Sequence, residues 1–234
     1  MNVVKQVKAI IFDKDGTLMA FDPYWAAVAD AALSALSLQL GVGQYQYEMK
    51  RSIGLLGNTT EKNSIIQKGT YEQAAEAINT VLKNVKSPAR VSGREIETIF
   101  TQSAEAGTVC PACEGLSLLM KRLRDKGILL FLVTTDISAI TYRCLDELGI
   151  TGCFQEIITD DGNLPPKPDP AAIRYLLQKY GLQPDEICMV GDTQTDMIFA
   201  QEGGITGICV GDGGFENPGS IQIPDVSYLE TVIE

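Results

Sequence analysis

Ile11-Phe12-Asp13-Lys14-Asp15-Gly16-Thr17-Leu18-Met19-Ala20 places two carboxylates directly behind an apolar run. Val7, Ala9, Ile10, Ile11 and Phe12 have the length and residue types of a buried strand, so Asp13 falls at its carboxyl end, where open α/β sheets bind their ligands. Gly16 then permits a sharp turn. Two acids two residues apart beside apolar surface call for a cation, a shared proton or full solvation. Taken alone, the stretch also reads as a solvated acidic turn ahead of a glycine. The choice therefore falls to the rest of the chain.

Three further pieces sit after strand-like runs or at helix starts. Ile128 to Val133 ends in Thr134 and Thr135. Leu164-Pro165-Pro166-Lys167-Pro168-Asp169-Pro170 holds Lys167 in a proline-rigid loop. Ile187-Cys188-Met189-Val190-Gly191-Asp192-Thr193-Gln194-Thr195-Asp196 is a strand running into a second acidic turn. Singly, Thr134 is a strand-end hydroxyl, Lys167 a surface cation, Asp192 a helix cap and Asp196 a charge that favours a helix N-terminus. Together they exceed what caps explain.

Strands are expected at Lys8 to Phe12, Ile128 to Val133, Cys153 to Ile158, Glu186 to Val190 and Gly207 to Val210. Helices are expected at Gly115 to Lys126, Ala139 to Leu148, Pro170 to Tyr180 and Thr195 to Glu202. Such alternation implies an α/β fold, a doubly wound parallel sheet with helices on both faces. More than a hundred residues separate the first two strands, far beyond a crossover connection. An inserted domain is expected there, over residues 21–108, with the core formed by 1–20 and 109–234. The insert reads as helical throughout. Asp22 and Pro23 make an N-cap and first-turn pair, followed by Trp25, Val28, Ala32, Leu33, Leu36 and Leu40 at helical spacing until Gly41. Thr70 with Gln73, and Ser92 with Glu95, have capping-box spacing ahead of two more helices.

With Asp13-Lys14-Asp15-Gly16-Thr17, then Thr134 behind Leu132-Val133, then Lys167, then Gly191 to Asp196, the chain resembles the haloacid dehalogenase superfamily of phosphohydrolases. Its four signatures occur in family order across residues 13 to 196. Thr135 stands where many members carry Asn, which bears on fine phosphate contacts. A helical cap inserted after the first acidic turn is the arrangement of the phosphoglycolate phosphatase-like and β-phosphoglucomutase-like members. The resemblance implies a Rossmann-like core and a phosphatase acting on a small phosphorylated metabolite, of phosphoglycolate or sugar-phosphate type. It implies Asp13 as nucleophile, forming an aspartyl-phosphate, and Asp15 as acid and then base. It further implies Thr134, Thr135 and Lys167 on the phosphoryl oxygens. Mg²⁺ would be held by Asp13, Asp192 and the backbone of Asp15, with Asp196 holding Lys167 and the metal waters.

Asp15 argues against the dehalogenase and phosphonate-hydrolase branches, which lack that acid. A β-phosphoglucomutase-like mutase keeps both acids and is the alternative. A receiver-type phosphoacceptor is shorter, has no insert and carries its acceptor on a middle strand. A non-catalytic binding relative would not need the full catalytic set. Substrate choice is expected from the cap at Lys50-Arg51-Ser52-Ile53-Gly54-Leu55-Leu56-Gly57, where Lys50 and Arg51 either meet the ligand or end a helix.

The 234 residues carry 30 acidic against 19 basic side chains, a formal charge of -11, and no basic run. Nucleic acid and anionic membranes are repelled by such a surface. An anionic substrate must be drawn in locally, by a metal and a few placed cations. The chain has no histidine, so a Ser-His-Asp triad, a Cys-His pair and a His-ligated zinc site are excluded. Cys110-Pro111-Ala112-Cys113 is a CxxC, but Cys144, Cys153, Cys188 and Cys209 are scattered singly. The six are read as buried or half-buried thiols in a reducing compartment. The amino terminus holds no long apolar segment before Lys8, and no later run approaches a membrane span. The expectation is a cytoplasmic enzyme, monomer or homodimer, with no nucleic-acid or membrane partner.

Overall fold

The structure, a computed structural model, describes residues 3–211 and 220–234. The chain divides into two compact units, Met1–Ala20 with Pro111–Glu234, and Phe21–Cys110.

The first unit opens on β1 (Ala9–Phe12). The second unit follows and consists of α1 (Phe21–Gln39), α2 (Gln46–Ser52), β2 (Leu55–Leu56), β3 (Thr59–Thr60), α3 (Ile65–Lys68), α4 (Tyr71–Asn84) and α5 (Gly93–Gln102). The chain then returns to the first unit through α6 (Leu116–Asp125), β4 (Leu129–Val133), α7 (Ser138–Glu147), β5 (Glu156–Ile158), α8 (Ala171–Tyr180), β6 (Ile187–Gly191), α9 (Gln194–Glu202), β7 (Thr206–Val210) and β8 (Ile221–Ile223).

Among the described residues, six strands of the first unit form one parallel sheet in the order β5-β4-β1-β6-β7-β8. The alternation of side chains along β1 divides them between two apolar layers. Ile10 and Phe12 pack with Leu130, Leu132, Cys188 and Val190 on one face. Ala9 and Ile11 pack with Phe131, Val133, Ile187 and Met189 on the other. All four β1 residues are buried, which is why the run is apolar at every position rather than at every second one. Pairing of Phe12 with both Leu132 and Val190 sets the ends of β1, β4 and β6 level. Asp13, Thr134 and Asp192 thereby leave the sheet together at its carboxyl end.

β8 was not expected, since three residues are too few to establish an alternation. The strand expected at Cys153 to Ile158 is shorter: Thr151–Cys153 is a 3-10 turn, and only Glu156–Ile158 pairs with β4.

In the second unit, α1 buries Trp25, Val28, Ala32, Leu33 and Leu36 of the expected stripe, while Leu40 lies beyond its end at Gln39 and is half-buried. Both capping boxes form, Thr70 with Gln73 on α4 and Ser92 with Glu95 on α5. Two readings are corrected. The insert is not helical throughout, because β2 and β3 make an antiparallel hairpin whose turn contains Gly57 at φ +68°. Asp22 does not cap α1: the helix already includes Phe21, and the Asp22 carboxylate accepts from the Thr60 backbone N–H at 3.1 Å and from the Thr60 hydroxyl. A carboxylate in the first turn of a helix is favoured by the dipole wherever its hydrogen bonds go. Sequence spacing therefore could not tell a cap from a tie to the hairpin.

Candidate active site

Asp13 is the first residue beyond β1, and its backbone N–H donates to the Val190 carbonyl at 2.9 Å, continuing the β1–β6 ladder by one step. Its side chain is buried, and its Oδ1 lies 2.6 Å from Lys167 Nζ. Lys167, also buried, donates a second bond to Asp196 Oδ1 at 2.7 Å. Burial alone would lower the Lys167 pKa, but the Asp13 and Asp196 carboxylates outweigh it and hold the ammonium protonated. Lys167 is thus no surface cation; the proline-rich loop delivers it to the carboxyl end of β1.

Asp196 performs both duties that its position permitted. Its Oδ2 accepts from the Thr193 backbone N–H at 3.0 Å and from the Thr193 hydroxyl, completing a capping box on α9, while Oδ1 receives Lys167. The helix cap is what aims the carboxylate. Asp192 ends the β6 turn and accepts from Thr17 Oγ1 at 3.2 Å. Gly16, at φ +80°, lies against it so closely that a Cβ there would overlap the Asp192 carboxylate.

One oxygen from each of Asp13, Asp192 and Asp196 lies within 4.8 Å of the others. At an effective dielectric constant near 20, each pair of full charges at that spacing repels by about 3–4 kcal/mol. Lys167 offsets one charge of the three. Asp13 is accordingly pushed up to about 7, by burial first and then, against the opposing pull of Lys167, by Asp196 and Asp15. Asp192 is pushed up to about 8 by burial, Asp13 and Asp196. Two hard oxygen donors in Asp13 and Asp192, a surplus of two negative charges over the three acids and Lys167, and a glycine giving the backbone close approach fit a small divalent cation.

Asp15 points its carboxylate elsewhere, to Lys14 Nζ at 2.8 Å. It contributes no side-chain oxygen to the three-acid cluster; the part expected of it in metal binding was a backbone oxygen. Thr134 is buried at the end of β4, and its Oγ1 accepts from the Asp136 N–H at 3.2 Å. Thr135, next along, is exposed. Lys50 and Arg51 occupy the last turn of α2 in the other unit. Lys50 pairs with Asp30 at 2.6 Å, while Arg51 donates to Tyr47 Oη at 3.3 Å and lies over the Tyr47 ring at 5.9 Å.

Lys14 and Asp136 are not among the residues expected at the site. Lys14 continues the Ile10–Phe12 face of β1 and is wholly buried, with Asp136 Oδ2 at 2.9 Å and Met19 Sδ at 3.7 Å in addition to Asp15. Asp136 is pushed up to about 6, by burial foremost, with Lys14 opposing and Asp15 adding. Period-two alternation from Phe12 would have signalled a lysine aimed into apolar surroundings, and hence a need for acid partners.

The six cysteines are free; Cys144, Cys188 and Cys209 are buried, the last two on β6 and β7 as expected. Among the described residues no helix is long and apolar enough to cross a membrane.

Residues 7–204 match the family model of haloacid dehalogenase-like hydrolases. A phosphoglycolate phosphatase of Vibrio vulnificus (strain CMCP6) is 29% identical over 202 residues, covering 86% of this chain and 82% of the relative. Among solved structures, CbbY of Rhodobacter sphaeroides in complex with phosphate superposes with a TM-score of 0.67 at 19% identity, covering 95% of this chain and 96% of that one. YfnB of Bacillus subtilis, bound to magnesium, superposes with a TM-score of 0.68 at 18% identity, covering 97% and 98%. The chain belongs to the haloacid dehalogenase-like hydrolase family and, as an enzyme, is a phosphatase.

Proposed function

We propose that this phosphatase hydrolyses a small phosphorylated metabolite of phosphoglycolate or sugar-phosphate type, with Mg²⁺ as cofactor and through an aspartyl-phosphate on Asp13. The observation that carries the reading is the buried Asp13 carboxylate, bonded to Lys167 and within 4.8 Å of Asp192 and Asp196 at the carboxyl end of the sheet. A phosphate monoester dianion repels an incoming nucleophile, so a site for it must neutralise charge and hold the attacking oxygen in line. Asp13 attacks phosphorus, Asp15 gives a proton to the leaving oxygen and later takes one from water, and Thr134 and Lys167 hold the phosphoryl oxygens, with Thr135 beside them. Mg²⁺ when bound, held by Asp13, Asp192 and the backbone of Asp15, neutralises charge developing on those oxygens. Asp196 keeps Lys167 in place.

A panel of phosphate monoesters incubated with Mg²⁺ and scored for released inorganic phosphate tests this reading. Release from one or a few small esters is expected. Transfer of phosphate between sugar positions without net release would replace hydrolysis with the mutase alternative.

We assign substrate choice to the inserted unit, with Arg51 the stronger candidate there, because Lys50 is already neutralised by Asp30. A planar guanidinium grips a carboxylate or second phosphate in two bonds, which an ammonium cannot do. Arg51→Ala is expected to raise KM for the best metabolite by roughly tenfold or more, while p-nitrophenyl phosphate, which offers no second anion, changes little. Equal losses on both esters would instead indicate damage to the fold, and no loss on either would remove Arg51 from recognition.

A further inference from the structure

A lysine between the two acids of the first turn is wholly buried, yet nothing in the proposed chemistry uses it. Lys14 Nζ lies 2.8 Å from Asp15 Oδ1 and 2.9 Å from Asp136 Oδ2. Taking an ammonium out of water is costly, and a buried ion pair is often no more stable than apolar side chains of the same size. The surrounding face of the sheet is apolar: Ile10, Phe12, Leu18 and Leu145 belong to one cluster. A methionine or leucine would fill such a place without desolvating a charge. What the ammonium adds is direction. With one oxygen of Asp15 bound to Lys14 and Lys14 bound in turn to Asp136 on the β4–α7 loop, the Asp15 carboxyl is held from two elements.

We infer that Lys14 is a positioning residue for Asp15, and that Asp136 is its anchor. This rests on the reading of Asp15 as the group that protonates the leaving oxygen. A proton donor displaced by about 1 Å can lose on the order of a hundredfold in rate. The loss falls on esters that need the proton: an alkoxide leaves poorly without it, whereas p-nitrophenolate leaves unaided.

The test compares kcat/KM for glycerol 2-phosphate and for p-nitrophenyl phosphate in Lys14→Met, Asp136→Asn, the double variant and Asp15→Asn. The double variant removes one positive and one negative charge, so the net charge around Asp15 is that of the native protein and the fold is kept if Lys14→Met alone unfolds. Lys14→Met and the double variant are expected to lose roughly tenfold to a hundredfold on glycerol 2-phosphate and less than about threefold on p-nitrophenyl phosphate. Asp136→Asn should shift in the same direction by less. Equal losses on the two esters, or none, in the double variant would overturn the inference. Asp15→Asn separates the two failures. If it is selective for the alkyl ester and the Lys14 variants are not, only the positioning role falls; if it lowers both esters equally, the acid role of Asp15 fails first.

Discussion

Asp13→Asn is expected to abolish turnover while leaving the protein at least as stable as the native chain. Removing a covalent nucleophile from a cooperating set costs on the order of 10⁶-fold in kcat, because no neighbour can replace the attacking oxygen. Asp192 and Asp196 are near, but Asp196 has its oxygens committed to Lys167 and Thr193, and Asp192 accepts from Thr17. The stability half follows from the same charges. Asp13 is pushed up to about 7, chiefly by burial and with its acid neighbours adding, so its ionised form is disfavoured in the folded protein. A neutral amide removes that repulsion, and Lys167 keeps Asp196 as a partner at 2.7 Å. Without added metal at pH 8, the variant should melt no lower than the native protein. Phosphate release and thermal melting on one preparation check both halves. Retained activity would end the nucleophile assignment, and a variant that is inactive because it is unfolded would show in the melt.

Addition of Mg²⁺ should raise the melting temperature far more at pH 8 than at pH 5. Asp13 and Asp192 have folded-state pKa values of about 7 and about 8, raised from 3.8. A carboxyl with a raised folded pKa binds its proton more tightly folded than unfolded. The metal-free protein therefore loses stability as pH climbs from about 4 through the 7–8 window, and the penalty is complete above it. A dication takes the deprotonated cluster and offsets that penalty where it is largest; at pH 5 it must first displace protons. At a hundredfold excess over Kd the gain is about 2.7 kcal/mol, which for a domain of this size corresponds to roughly 5–11 °C. Asp192→Asn should remove most of the shift. Activity should vanish in excess EDTA, return with Mg²⁺, and be inhibited by Ca²⁺, whose larger radius tolerates geometries unsuited to in-line transfer. A Mg²⁺ shift independent of pH, or undiminished turnover in EDTA, would remove the metal from the site.

The sequence by itself determined five of the sheet's six strands and the points at which Asp13, Thr134 and Asp192 leave it. Apolar runs of strand length ending in Asp13, Thr134 and Asp192 leave few alternatives, since parallel strands buried on both faces read as continuous apolar segments and their carboxyl ends are where ligands bind. Capping boxes at Thr70 and Ser92 were equally legible, because both partners lie within one turn. Contacts between residues distant in the chain were not. Only the tertiary structure could bring Lys167 onto Asp13, tie Asp22 to Thr60 instead of its own helix, and pair Lys50 with Asp30. The same holds for Lys14, whose neighbour Asp15 was in view but whose second partner, Asp136, stands on another strand-to-helix loop. A side chain's partner is set by where separate elements converge, and a charge takes whichever opposite charge that convergence places within about 3 Å once water is gone.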